Sequence, residues 1–199
     1  MSEYPLKSEG AGAQKKKRQL LFLSRIHPKK GIDILIEAFS QIVGNHPDLY
    51  LVIAGPDTDN SQAKLNQQAI QMGIAQHIIW TGMLKGDIKW GAFHAAEVFI
   101  LPSHSENFGV VVAEALACSL PVLITKKVNI WQEVLSKNAG IVDSDTKEGI
   151  VHLLIKWLTL SKSEQDKMRI NAMNCFLQCF EVNKAAENLI DTIRPLIEE

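Results

Sequence analysis

Six apolar runs punctuate the chain between Gln19 and Asp143: QLLFLS, LYLVIAG, HIIWTG, VFILPS, PVLIT and AGIVD. They are continuous rather than alternating, the pattern of strands buried on both faces of a parallel sheet. The stretches between them read as helices. In GIDILIEAFSQIV the apolar residues Ile32, Leu35, Ile36 and Phe39 fall at helical spacing. SQAKLNQQAIQMG predicts a polar-faced helix closed by Gly73. DIKWGAFHAA predicts a short helix with Asp87 as its N-cap. GVVVAEALACS predicts another, although valines are poor helix formers. A short helical piece is expected near Trp131, and the last fifty or so residues read as two or three helical segments. Residues 1–18 are polar, Gly-bearing and aperiodic, a tail or linker, which leaves 19–199 as one domain.

Strands alternating with helices predict an α/β fold, a Rossmann-like parallel sheet of about six strands with helices on both faces. Crossovers should be right-handed, and ligands should bind at the carboxyl ends of the strands near a topological switch point. Chemistry is therefore expected in the loops that follow the strands. Composition adds little against this. With 199 residues and 46% hydrophobic content the chain can build a sizeable core, and a net charge of −1 gives no global attraction to nucleic acid or membranes. The basic run Lys15–Arg18 reads as a solvated flank. Cys118, Cys175 and Cys179 have no partner cluster, so reduced thiols are expected rather than a metal or redox pair. No apolar run reaches about 18 residues, so a cytoplasmic protein without membrane contact is the default expectation.

The first strand is followed by SRIHPKKGIDIL, in which Arg25 and Lys30 flank Pro28 and Gly31 opens a helix. Two cations and a positive helix end suit a phosphate or diphosphate; a merely solubilising basic turn is the alternative. Asp57 and Asp59 after the second strand read as turn and capping residues. After the third strand, Gly82 offers backbone that can lie against a flat base, while Trp80 reads as core. The fourth strand leads into HSENFGVVVAEALACS. Here Glu106 sits in the loop, the Phe108–Gly109 amides begin a helix, and Glu114 lies eight positions beyond Glu106. A carboxylate can accept two hydrogen bonds, which fits vicinal hydroxyls of a sugar or ribose. A local cap or salt bridge is the plainer role for Glu114. His27, His94 and His104 read as loop, helix-surface and rim residues, and Lys126 and Lys127 as a solvated loop. No glycine-rich dinucleotide or P-loop motif is present.

Taken together, SRIHPKKGIDILIEAF, LVIAG, IIWTG, LPSHSENFGVVVAEALACSLPV and AGIV resemble the C-terminal domain of GT-B fold, retaining glycosyltransferases of the glycosyl transferases group 1 family. The resemblance covers roughly residues 20 to 145. It implies a nucleoside-diphosphate sugar as donor. Arg25 and Lys30 would bind the diphosphate and stabilise the leaving nucleotide, and Glu106 would contact the transferred sugar's hydroxyls. The amides around Phe108, Gly109 and Val110 would hold sugar or diphosphate, Glu114 would take the ribose hydroxyls, and the backbone near Gly82, Met83 and Leu84 would touch the base. Catalytic work would fall to Arg25, Lys30 and Glu106. Neither cofactor nor metal is implied.

Two departures from the family pattern stand out. Ser119 occupies a position where Gly is common, and TKKVNIWQE replaces the glycine pair that often follows the fifth strand. Enzymes of this fold also have two Rossmann-like domains, the other one binding the acceptor. One sheet is legible here, so the expectation is a donor-binding half without its N-terminal acceptor domain, inactive in transfer by itself. Leu189, Ile190, Ile193 and Leu196 would form an apolar stripe on the last helix. A stand-alone nucleotide- or sugar-binding module remains an alternative, and an unrelated Rossmann-like epimerase or oxidoreductase a weaker one.

Overall fold

A computed structural model describes residues 17–182 together with 184, 190, 193 and 194. Its centre is a six-stranded sheet in the order β3-β2-β1-β4-β5-β6. The strands are β1 (Arg18–Leu23), β2 (Leu49–Ala54), β3 (Ile78–Gly82), β4 (Val98–Leu101), β5 (Val122–Thr125) and β6 (Gly140–Asp143). Every pairing between them is parallel. The helices are α1 (Ile32–Val43), α2 (Ser61–Gln71), α3 (Gly86–Ala95), α4 (Val110–Ala117), α5 (Trp131–Ser136), α6 (Lys147–Thr159) and α7 (Lys162–Cys179). The Rossmann-like α/β sheet read from the sequence is thus the observed fold.

The continuous apolar runs explain which strands are central. All four residues of β4 and of β5 are buried, whereas edge strand β3 is sheltered only in part. Helix α1 packs against α2 and α6, and α4 and α5 pack against α7, which gives the sheet its two helical layers. Leu35, Ile36, Phe39, Leu153, Leu154 and Trp157 are fully buried among them. Each such side chain withdrawn from water contributes roughly 1.5–3 kcal/mol.

Two details differ from the sequence reading. Arg18 is not tail: it opens β1, pairs with Leu49 across the sheet and is held bidentate by Glu97. Asp87 does not cap α3; Lys85 holds that position and Asp87 lies in the first turn, where its charge still meets the helix dipole. Of the apolar stripe expected near the C-terminus, Leu189 and Leu196 lie outside the described residues, and Ile190 and Ile193 are exposed. Other readings hold. Asp57 caps α2 through the amides of Ser61 and Gln62, and Trp80 packs partly buried against the core. All three cysteines are free thiols, and burial pushes the Cys175 thiol up to about 12.

The strand order sets the function-bearing geography. Strands β1 to β3 build outward in one direction, then the α3 crossover starts β4 on the opposite side of β1. The helices flanking β1 and β4 diverge there, which leaves a crevice at the carboxyl ends of these two neighbours.

Candidate functional site

The crevice between β1 and β4 is built by three loops tied together. The β1–α1 connection contains a short 3-10 turn, Pro28–Lys30, capped by His27 Nδ1, which accepts from the Lys29 amide. The β4–α4 loop docks onto that turn. The His104 amide and the Ser103 hydroxyl both donate to the Lys29 carbonyl, at 2.8 and 3.0 Å. The β5–α5 loop closes the other side: Thr125 Oγ1 donates to the Ser103 carbonyl, and the Glu106 amide donates to the Lys127 carbonyl at 3.0 Å. Ser103 and Thr125 are fully buried. Buried hydroxyls persist where their bonds are satisfied, and here these bonds fix the path of the segment that carries Glu106.

Two glycines let the loops approach. Gly31 has φ +67°, and any Cβ there would collide with the Pro102 carbonyl. Gly109 has φ +78°, and a Cβ would sit 2.9 Å from Val128 Cγ1. Gly109 is also the N-cap of α4 and supplies no side-chain cap to the first-turn amides of that helix. The positive end of α4 therefore opens beside Glu106.

Lys30 Nζ donates directly to Glu106 Oε2, and both side chains are largely sheltered. Two residues singled out in the sequence, 76 positions apart, thus meet at the switch point. Arg25 lies exposed in the same β1–α1 loop and has no ion pair among the described residues. Phe108 is half exposed and edge-on to Phe180, at 5.7 Å between centroids. Val110 is exposed at the start of α4. Gly82 and Met83 are exposed at the end of β3, and Leu84 packs partly against the core. Glu114 does not join the Lys30–Glu106 pair. It receives Lys89 Nζ of α3 at 2.6 Å, a salt bridge as the plainer role had it, but with a residue 25 positions away rather than a local one.

Four participants escaped the sequence reading. Lys89 closes the Glu114 side, and its ammonium also lies 5.3 Å from the Trp90 ring centroid. Ser103 and Thr125 brace the loops. Asp145, just beyond β6, receives the Nδ1–H of His104 at 2.9 Å. That hydrogen bond holds the Asp145 carboxyl below its ordinary range against the opposing effect of burial, with the charge of Lys127 assisting. The rule that directed attention to strand ends applies equally to β6, so Asp145 was within reach of it.

A parallel sheet of this order, with cations and carboxylates gathered at its switch point, is an α/β domain of the Rossmann-like type. The family is shown by comparison. The model of the glycosyl transferases group 1 family matches residues 5–174, and the chain belongs to that family. D-inositol 3-phosphate glycosyltransferase of Acidothermus cellulolyticus is 30% identical over 130 residues, covering 62% of this chain and 29% of that protein. The chain spans less than half the length of the curated relatives it matches. Among solved structures, the C-terminal domain of a glycosyl transferase group 1 family protein from Francisella tularensis superposes with a TM-score of 0.75 at 22% identity. It covers 83% of this chain and 87% of that one. Anabaena HepE, solved in complex with UDP and glucose, superposes at 0.77 with 20% identity over 90% of this chain and 48% of its own. The fold is that of the C-terminal half of a GT-B enzyme.

Proposed function

We propose that this chain is the donor-binding half of a glycosyltransferase that moves a glycosyl group from a nucleoside-diphosphate sugar to an acceptor, with retention at the anomeric carbon. The observation that carries the reading is the Lys30–Glu106 contact at the β1/β4 switch point, beside the open amino end of α4. The match to HepE, a protein solved with UDP and glucose, supports a nucleotide-sugar donor.

In this reading Lys30 exchanges Glu106 for the donor's diphosphate. Lys30 and Arg25 then lie where negative charge grows as the leaving nucleotide departs, and charge fixed in place beforehand needs little reorganisation. Glu106, released, accepts from the sugar's hydroxyls. The amides of Phe108, Gly109 and Val110 hold the sugar or diphosphate at the helix end. Glu114 accepts from the ribose hydroxyls after parting from Lys89, and the Gly82–Leu84 backbone lies against the base. Cations of the chain neutralise the diphosphate, so the reading includes no metal or other cofactor. It assigns acceptor binding to an N-terminal domain and leaves this half inactive in transfer by itself. The donor site in this reading calls for neither nucleic acid nor membrane, and its place is the cytoplasm. No described helix is long and apolar enough to cross a membrane.

The test is titration of UDP, GDP and ADP, followed by thermal shift and calorimetry in the presence of EDTA. At least one should stabilise the chain. Lys30→Ala should weaken the diphosphate by about 1.5–3 kcal/mol, the size of a lost hydrogen bond to a charged group. Glu114→Ala should weaken the nucleoside as well as the nucleotide. If no nucleotide binds, or if Glu114→Ala leaves nucleoside affinity untouched, the assignment fails. Sugar transfer by the chain alone, at ordinary turnover of roughly 1–1000 per second, would overturn its status as an inactive half.

A further inference from the structure

A second charged cavity, of about 610 Å³, opens at the opposite pole of the sheet, where β1 begins and α7 passes the residue before β4. The six residues of β1 separate it from the switch point by roughly 20 Å. Its wall is organised around Glu97. Arg18 donates twice to the Glu97 carboxylate, at 2.7 and 2.5 Å, and the Trp157 indole N–H donates to the same group at 2.8 Å. From α7, Arg169 donates to the Glu97 backbone carbonyl at 2.7 Å. Lys17 stands at the rim, its ammonium 4.6 Å from the Tyr50 ring centroid.

The charges do not balance. Lys162 and Asp166, also lining the cavity, compensate each other at 2.8 Å. Among the other lining residues, Lys17, Arg18 and Arg169 face the one carboxylate of Glu97, and Asp48, outside the lining, adds its charge on the Arg18 side, which leaves the cavity net positive. Neither Lys17 nor Arg169 has a carboxylate partner among the described residues. A carbonyl satisfies one Arg169 N–H without cancelling its charge, and most of the five donors of a guanidinium stay available. The Glu97 carboxylate, the group that would repel an anion, is already engaged by Arg18 and Trp157. A concave wall concentrates the remaining field.

We infer that this cavity is an anion site for a doubly charged tetrahedral oxyanion, a free phosphate or a phosphate monoester. It owes nothing to the donor site and stands or falls separately from it. Calorimetric titration of inorganic phosphate into the Lys30→Ala chain, at constant ionic strength, isolates this pole. One saturable site is expected, weakened roughly tenfold by Lys17→Gln and at least as much by Arg169→Gln, the scale of one lost charge-assisted contact. Lys17 touches an aromatic face rather than a core group, so Lys17→Gln reads binding without disturbing the fold should Arg169→Gln loosen α7. Absence of phosphate binding in the Lys30→Ala chain, or binding indifferent to Lys17→Gln, overturns the site. A parallel arm separates the sources of the phosphate. Capture by phosphatidic acid vesicles, but not phosphatidylcholine ones, with the same loss in Lys17→Gln, supports a lipid headgroup. Binding of free phosphate without vesicle capture supports a soluble one.

Discussion

Ser119 carries a backbone that its side chain disfavours. It has φ +56°, in the left-handed region, just beyond the end of α4. A Cβ in that conformation costs roughly 1–2 kcal/mol, offset in part by the extra freedom a glycine has in the unfolded chain. Ser119→Gly should therefore stabilise the protein by up to about 1 kcal/mol, seen as a higher denaturant midpoint with an unchanged slope. The opposite change at Gly31 adds the left-handed cost to a collision with the Pro102 carbonyl. Gly31→Ala should cost at least about 2 kcal/mol and also weaken pyrophosphate binding, because Lys30 is its neighbour. A Gly31→Ala chain with wild-type stability and affinity would contradict the tight docking of the two loops. These are the positions where sequence reading is strongest. Ser in a glycine's place, Gly after a basic turn and an acid after a buried strand each announce a local constraint in one dimension. The partners of Glu106 and Glu114 do not. Lys30 and Lys89 lie 76 and 25 positions from their acids, and no local spacing encodes such pairs.

At the level of elements, the decisive structures are loops, and they are less legible than strands. Continuous apolar runs locate the six strands within a residue or two, since burial on both faces leaves no other pattern. The mutual docking of loops depends on groups such as the Lys29 and Ser103 carbonyls, which every residue possesses. One inter-loop tie can be titrated. His104 and Asp145 join the β4 and β6 exits, and the Asp145 carboxyl lies below its unfolded value of about 3.9. A depressed acid contributes stability that is present above the unfolded pKa and disappears as pH falls through the folded one. Asp145→Asn should accordingly cost about 0.5–1 kcal/mol near pH 7, and the gap should close at a second, acidic pH below the depressed pKa of the folded carboxyl. Urea melts at the two pH values measure it. A gap that widens on acidification would show that the carboxylate is not the stabilising form.

Across the whole molecule, the two poles of the sheet divide the work. Cations and acids at the carboxyl ends of the strands sit in loops, where donor binding as proposed would exchange their partners. At the amino pole, Glu97 ties β1, α6 and α7 to one point through Arg18, Trp157 and Arg169. Trp157 is completely buried, so its indole N–H has no access to water as a replacement partner. Glu97→Ala would leave that donor orphaned and Arg18 without its counter-charge, at a cost of about 2–4 kcal/mol. For a chain of this size the melting temperature should fall by roughly 4–16 °C. Because sites further than about 7–10 Å apart without shared partners behave independently, pyrophosphate affinity at the Lys30 pole should stay within about twofold of wild type while the chain remains folded. Calorimetry at 15 °C beside a thermal melt reads both quantities on one sample. Loss of affinity in step with stability would mean that the poles are mechanically coupled through β1, and the separation of a rigid amino end from an adaptable carboxyl end would have to be abandoned.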